Sequence, residues 1–396
     1  MENRVKGDSG DCHWRPRKRI SSVLGTSLKS GNKKTSKADS TWSQWSDLPM
    51  DLLTKISKGL SVADYLSFGH VCRNWRLVTA ASKQEFLESQ APMVVVISSR
   101  AKKTCFFFDM SSRDTYRTVL PKFSGRVCVG ISSGSLIMQS TDLMLTNPMT
   151  GQKLEFPRLL QPFPDRAWMS DRCILAFTMP HPDFLVVALS SRNQNLQFCR
   201  SRDHQWNFYS FEEKPWVFVD IIAFGSRIYA LTNNSQIGVL SLKSPPTVAL
   251  LELKGRPYLS PHVKLAASDE HLLVVDFMPT RWLHVYRIDL VSSQWVKVDD
   301  LGDQALFLSY MIHLQCCRIR SATSWGGRPN CLYYLGYRTA ECNVYSLAGA
   351  LIESFPVVPA NQLHAISALK GWYFPHDSQK MDYVWDDQFG AVLNNA

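Results

Sequence analysis

From Ala91 onward, short apolar runs return at a nearly constant interval, and this recurrence restricts the possible folds more than any other feature of the chain. Runs such as MVVVIS, TCFFFD, DLMLTNPMTG, FLVVALS, RIYALT, HLLVVDF and CNVYSL are rich in β-branched and aromatic residues. They are separated by Gly, Pro, Asn, Asp and Ser, the composition of strands bounded by turns. Comparable strands begin near Leu136, Leu185, Ile228 and Leu272, at steps of 49, 43 and 44 residues. The next, near Leu332, follows a step of 60 that carries the insertion LGDQALFLSYMIHLQCC. A period in the forties with three or four strands per unit marks radial blades, an arrangement that leaves only short sheet edges exposed. The expectation is therefore a mainly β chain whose residues 91–375 form a β-propeller of about six blades, with seven as the alternative count. A β-sandwich pair is the competing architecture, and it leaves the recurring step unexplained.

The stretch Trp45–Glu88 obeys a different period. Leu48, Leu52, Leu53, Ile56 and Leu60 recur at spacings of three and four, which places an apolar stripe along one helix. Asp47 and Pro49 suit its start. Ser61 and Asp64 form a capping-box-like entry to a second helix carrying Tyr65, Leu66, Phe68 and Val71, and a third begins near Arg73 with Trp75, Val78 and Phe86 apolar. About forty residues are too few for a stable private core and too apolar to remain solvated, so the segment needs a partner.

Together these residues resemble an F-box, the module that docks on a Skp-type adaptor and through it on a cullin ubiquitin ligase. Leu48-Pro49, Leu52-Leu53, Ile56, Leu60, Asp64, Val71-Cys72 and Trp75-Arg76 stand where that pattern places them. The resemblance assigns adaptor binding to Leu48, Pro49, Leu52, Leu53, Ile56, Leu60, Val71, Cys72 and Trp75. Two residues depart from the pattern: Met50 stands where the family often has an acid, and Gly69 is expected inside the second helix at a cost of about 1 kcal/mol. Farther on, Asn147–Gly151, the run VYRIDLVSSQWVKVDDLGDQALFL and the terminal Gly371–Pro375 are similar to plant F-box proteins with a KIB-type propeller. Each also has a local reading: a turn at Asn147–Gly151, a strand whose Trp295 packs between blades, and a break at Leu301-Gly302-Asp303 before an apolar run. Trp372, Tyr373 and Phe374 are expected to be buried beside the strand beginning near Met93, closing the ring.

The formal net charge of +10 is concentrated at one end. Residues 1–40 hold ten Lys/Arg against four acids, so they carry +6 and leave +4 for everything after. Residues 1–42 are expected to be a disordered basic tail, followed by the F-box over 43–90, the propeller over 91–375 and a C-terminal extension over 376–396. Arg15, Arg17, Lys18 and Arg19 form a candidate nuclear-import signal, with a simple solubilising tail as the alternative. The expected location is nucleus, cytoplasm or both. No run of eighteen or more apolar residues and no apolar signal core occur, so the sequence supports neither membrane insertion nor secretion. The ten cysteines lack Cys-x-x-Cys spacing and read as reduced, mostly buried thiols; the sequon at Asn233 then reads as a chance match.

One short run matches a catalytic pattern. Gly130-Ile131-Ser132-Ser133-Gly134 fits the Gly-x-Ser-x-Gly pattern, but a nucleophile elbow needs a following helix and the sequence continues as strands, so a hairpin turn is expected. His181, His262, His271 and His284 stand alone, and no cluster has metal-ligand spacing. No cofactor, metal site or catalytic residue is expected. The reading is a substrate receptor: adaptor and cullin complex on the F-box, and an unidentified target protein on the propeller. Trp168, Trp325 and Arg328 are candidate target contacts because Trp and Arg dominate interface hot spots, with ordinary packing as the alternative for the tryptophans. Two other functions are a regulator that sequesters a signalling protein and a nucleic-acid binder acting through the basic tail, whose mark is steep salt dependence.

Overall fold

The computed structural model describes residues 45–69, 71–97, 104–119, 125–161, 171–177, 183–243, 245–268, 270–309, 318–336, 339–358, 369–378 and 381. The import candidate Arg15, Arg17, Lys18 and Arg19 and the target candidate Trp168 lie outside them. Two compact units emerge, one ending at Glu88 and one running from Ser89.

The first unit is helical: a 3-10 turn at Trp45–Asp47, then α1 (Met50–Lys58), α2 (Val62–Phe68) and α3 (Arg73–Ser89). Ser61 caps α2 by accepting from the Asp64 backbone N–H at 3.2 Å, and its hydroxyl donates to Asp64 Oδ2 at 2.7 Å. Gly69 falls just past α2 as its C-cap and not inside it, so the expected mid-helix penalty does not arise. Its role is close approach. A Cβ at Gly69 would stand 3.1 Å from the Thr79 side chain of α3.

The second unit is a six-bladed propeller. Its innermost strands are Leu369–Tyr373, Val127–Ser132, Asp171–Phe177, Phe218–Phe224, Val263–Ala267 and Gln304–Ser309, and each blade continues outward through three more strands. Blade 1 joins the two ends of the domain: the antiparallel ladder pairs Met93 with Tyr373, Val94 with Trp372 and Ile97 with Leu369. Trp372, Tyr373 and Phe374 are all buried, as expected. Beyond them, among the described residues, Asp377 pairs with Arg318 and Met381 is buried among blades 2 and 3.

Apolar side chains from adjacent blades interleave, so the core is a set of seams and not a single centre. Trp295 packs in the seam between blades 4 and 5 with Tyr229, Leu231 and Leu265. Polar bonds link the innermost strands. Leu175 N–H donates to Ser132 Oγ at 3.1 Å, Arg172 pairs with Asp220, Leu265 N–H donates to Asp220 Oδ2 at 2.7 Å, and Ser309 Oγ donates to the Lys370 carbonyl at 2.8 Å.

Blade 6 corrects one expectation. LGDQALFLS is not an insertion, because Gln304–Ser309 is the blade's own innermost strand. The added length is the return strand Arg318–Ser321, which pairs antiparallel with Gln304–Ser309 and meets blade 5 at Ala267. This return sends the chain back before Cys331–Leu335 begins, and Gln304–Ser309 and Cys331–Leu335 are consequently parallel, a pairing that requires such a crossover. The Gly130–Gly134 segment is a hairpin turn between strands, with Ser133 and Gly134 at φ of 49° and 67°.

Candidate adaptor-docking face

Helix α1 carries an apolar arc wider than one internal contact can cover. Leu53 and Ser57 face inward, and Leu53 is 0% exposed in a small core with Phe68 and Val78. Leu52 and Ile56, one turn apart, remain 45% and 43% exposed. Pro49 precedes them on the same side at spacings of three and seven, is exposed, and forms the N-cap with its carbonyl accepting from Leu53 N–H at 3.1 Å.

The nine residues expected to contact an adaptor therefore divide. Leu53 is wholly internal, and Leu48, Leu60 and Trp75 are half-buried against the same core. Trp75 holds the corner of the unit: its ring stacks on Phe68 at 4.1 Å, and its indole N–H donates to the Trp45 carbonyl at 2.9 Å. Removing Leu53 from the contact list is a correction with a simple cause. Period alone marks the apolar side of a helix but not which part of that side the unit covers itself. Pro49, Leu52, Ile56 and Val71 are exposed, and Cys72 is half-buried.

Three exposed apolar residues escaped the sequence reading: Trp45, Met50 and Leu77. Met50 stands out in the sequence only as a departure from the family pattern. Leu77 gave a usable signal, since it falls off the Trp75, Val78, Ser82, Phe86 stripe that packs α3. That stripe is anchored by Tyr65, which stacks on Phe86 at 3.8 Å and donates its hydroxyl to the Thr79 carbonyl at 2.7 Å.

The remaining target candidates are on the propeller. Trp325 is partly buried against Phe307 and Tyr333 in the seam between blades 1 and 6, which is a packing role. Arg328 is exposed and bonded to Glu353 at 3.2 Å, a carboxylate that also pairs with Arg113 at 3.5 Å. Among the described residues no group of His, Cys, Asp and Glu is placed to hold a metal, and no helix is long and apolar enough to cross a membrane. Pro49, Leu52, Ile56 and Val71 offer apolar contact, and the Cys72 thiol is free.

Comparison with known proteins resolves the family. Residues 45–81 match the F-box domain, and residues 107–348 match the KIB1-4 beta-propeller. The chain belongs to the KIB1-4 beta-propeller family. Its helical unit is an F-box, as the resemblance implied. F-box protein At2g05970 of Arabidopsis thaliana is 22% identical over 85% of this chain and 97% of that protein. F-box protein At2g14290 of the same plant is 22% identical over 84% of this chain and 97% of that one. A solved TolB from Acinetobacter baumannii is similar at a TM-score of 0.41 and 12% identity, covering 76% of this chain and 71% of that one.

Proposed function

We propose that this protein is the substrate-recognition subunit of an SCF-type cullin ubiquitin ligase. The F-box buries Pro49, Leu52, Ile56 and Val71 on a Skp-type adaptor, and the propeller holds the target protein near a ubiquitin-charged E2. The subunit accelerates transfer by proximity, turning an encounter between two proteins into an effectively intramolecular step, and contributes no bond-making residue. The observation that carries this reading is the division of α1 in a KIB1-4 propeller protein: Leu53 completes the F-box core while Leu52 and Ile56 stay exposed beside it.

The test is co-purification of adaptor and cullin with the full chain and with Leu52→Asp/Ile56→Asp. Adaptor and cullin retained by the first and lost by the second support the receptor. Target binding without cullin would instead identify a sequestering regulator. Arg15, Arg17, Lys18 and Arg19 supply the proposed import signal, and their replacement by alanine should reduce nuclear accumulation of a fluorescent fusion; an unchanged distribution would remove that assignment.

A further inference from the structure

A cavity of about 300 Å³ opens at the seam between blades 4 and 5. One wall is Ser235–Ile237, at the turn entering the third strand of blade 4, and another is the connection Leu250–Leu253 with Arg256. Trp295 of blade 5 completes the lining. The connection is fixed on both sides. Leu251 N–H donates to the Ile237 carbonyl at 2.8 Å, Lys254 N–H donates to the Ser293 carbonyl at 2.9 Å, and Trp295 N–H donates to the Lys254 carbonyl at 3.0 Å. The cavity is thus built by ordered backbone from two blades.

Its polar inventory converges from three elements of the two blades. Trp295 is only 8% exposed, yet its indole N–H has no hydrogen-bond partner among the described residues. Around it stand the half-buried Gln236 side chain and, exposed to solvent, those of Glu252 and Arg256. Buried polar groups are normally paired, and ligand sites combine an apolar lining with a few convergent polar groups. Here Leu251 and Leu253, partly buried against the same cluster as Trp295, supply the apolar part.

We infer that this cavity binds a short extended peptide of the target protein, inserting one aliphatic or aromatic anchor side chain among the leucines. The inference rests on the receptor reading above. The donor–acceptor set selects the class: an indole N–H and a guanidinium donate, a carboxylate accepts, and the Gln236 amide does both. A simple anion leaves Glu252 opposed, and a simple cation leaves Arg256 opposed. A peptide offers a carbonyl and an N–H at every residue, so it satisfies both while its side chain fills the apolar part. A volume near the lower limit for ligand sites restricts the contact to one anchor residue with its flanking peptide units.

The experiment pans a phage-displayed random peptide library against the full chain bound to its adaptor, then measures the enriched peptides by fluorescence polarisation. Peptides sharing one apolar anchor should bind the unaltered protein and weaken about tenfold or more with Arg256→Gln and with Glu252→Gln, two exposed positions whose change leaves the fold intact. Trp295→Phe should weaken them as well, with its melting temperature checked beside it. Failure to enrich any peptide over bare matrix, or equal affinity for Arg256→Gln, Glu252→Gln and the unaltered chain, would overturn the site. Retained adaptor in that case isolates the failure to the cavity, because the receptor reading falls only if adaptor or cullin is lost.

Discussion

Val94 stands opposite Trp372 in the ladder that closes the propeller, so the domain's first strand and its last are one sheet. Trp372 is fully buried in the seam with Phe307, whose ring it meets edge-on at 5.0 Å. Trp372→Ala should destabilise the domain by about 3–5 kcal/mol, read as a lower urea midpoint. Deletion from His364 onward should be worse and yield aggregated protein. A deletion that stays soluble and melts with the full chain would refute closure as a stabilising contact.

The Arg172–Asp220 pair makes a second prediction. Both side chains are buried, and the Asp220 carboxylate also accepts from Leu265 N–H and Ile221 N–H, tying three blades. Asp220→Ala should cost about 3–5 kcal/mol because it removes the carboxylate that pairs with a buried guanidinium. Arg172→Met/Asp220→Leu should be less damaging than the single change. Chemical denaturation of both variants checks the order, and a double variant less stable than Asp220→Ala would refute it.

Neighbouring residues on α1 should separate folding from docking. Leu53→Ala removes a fully buried side chain and should destabilise the F-box by about 2–5 kcal/mol. Leu52→Asp/Ile56→Asp should leave thermal unfolding unchanged and abolish capture of the adaptor. Adaptor binding by this double variant at the unaltered level would count against the exposed side of α1 as the contact.

Lys370 provides a test in pH. It is buried on the closing strand with its ammonium donating to the Thr339 carbonyl, and burial depresses its pKa to about 8. Unfolding restores an ordinary lysine near 10.5, so between about pH 8 and that value the unfolded chain binds more protons and stability rises with pH. Below 8 the penalty is constant, on the order of 3 kcal/mol. Buried thiols such as Cys128, pushed up to about 12 by desolvation, act in the opposite direction, which makes comparison with Lys370→Met essential. The variant's advantage over the unaltered protein should be largest near pH 7 and shrink above pH 8. A difference independent of pH would mean that Lys370 titrates normally.

Much of this architecture is legible in sequence because propeller strands are covered on both faces. Ser135–Gln139 and Phe184–Ser190 are buried at every position, and they stand out as unbroken apolar runs between turns. Gln304–Ser309 does not stand out as a blade strand because its neighbour in space, Cys331–Leu335, is distant in sequence and the intervening return strand has no counterpart in other blades. Leu52 and Leu53 were not separable by period, since both belong to the same apolar arc and only tertiary packing decides which is covered. The cavity at Trp295 left no local trace at all, being assembled from Ser235, Leu251 and Trp295 on different elements.

The ladder between Met93–Ile97 and Leu369–Tyr373 also has a consequence during synthesis. On the ribosome, Met93–Ile97 emerges early and must wait for nearly the whole domain before its partner exists. Throughout that interval blade 1 lacks its innermost strand, and the seam that will receive Trp372 is open to water and to other nascent chains. Ring closure is therefore a late event set by translation and not by local strand pairing, and a message interrupted after Pro356 yields a chain with five blades able to form and blade 1 without its innermost strand.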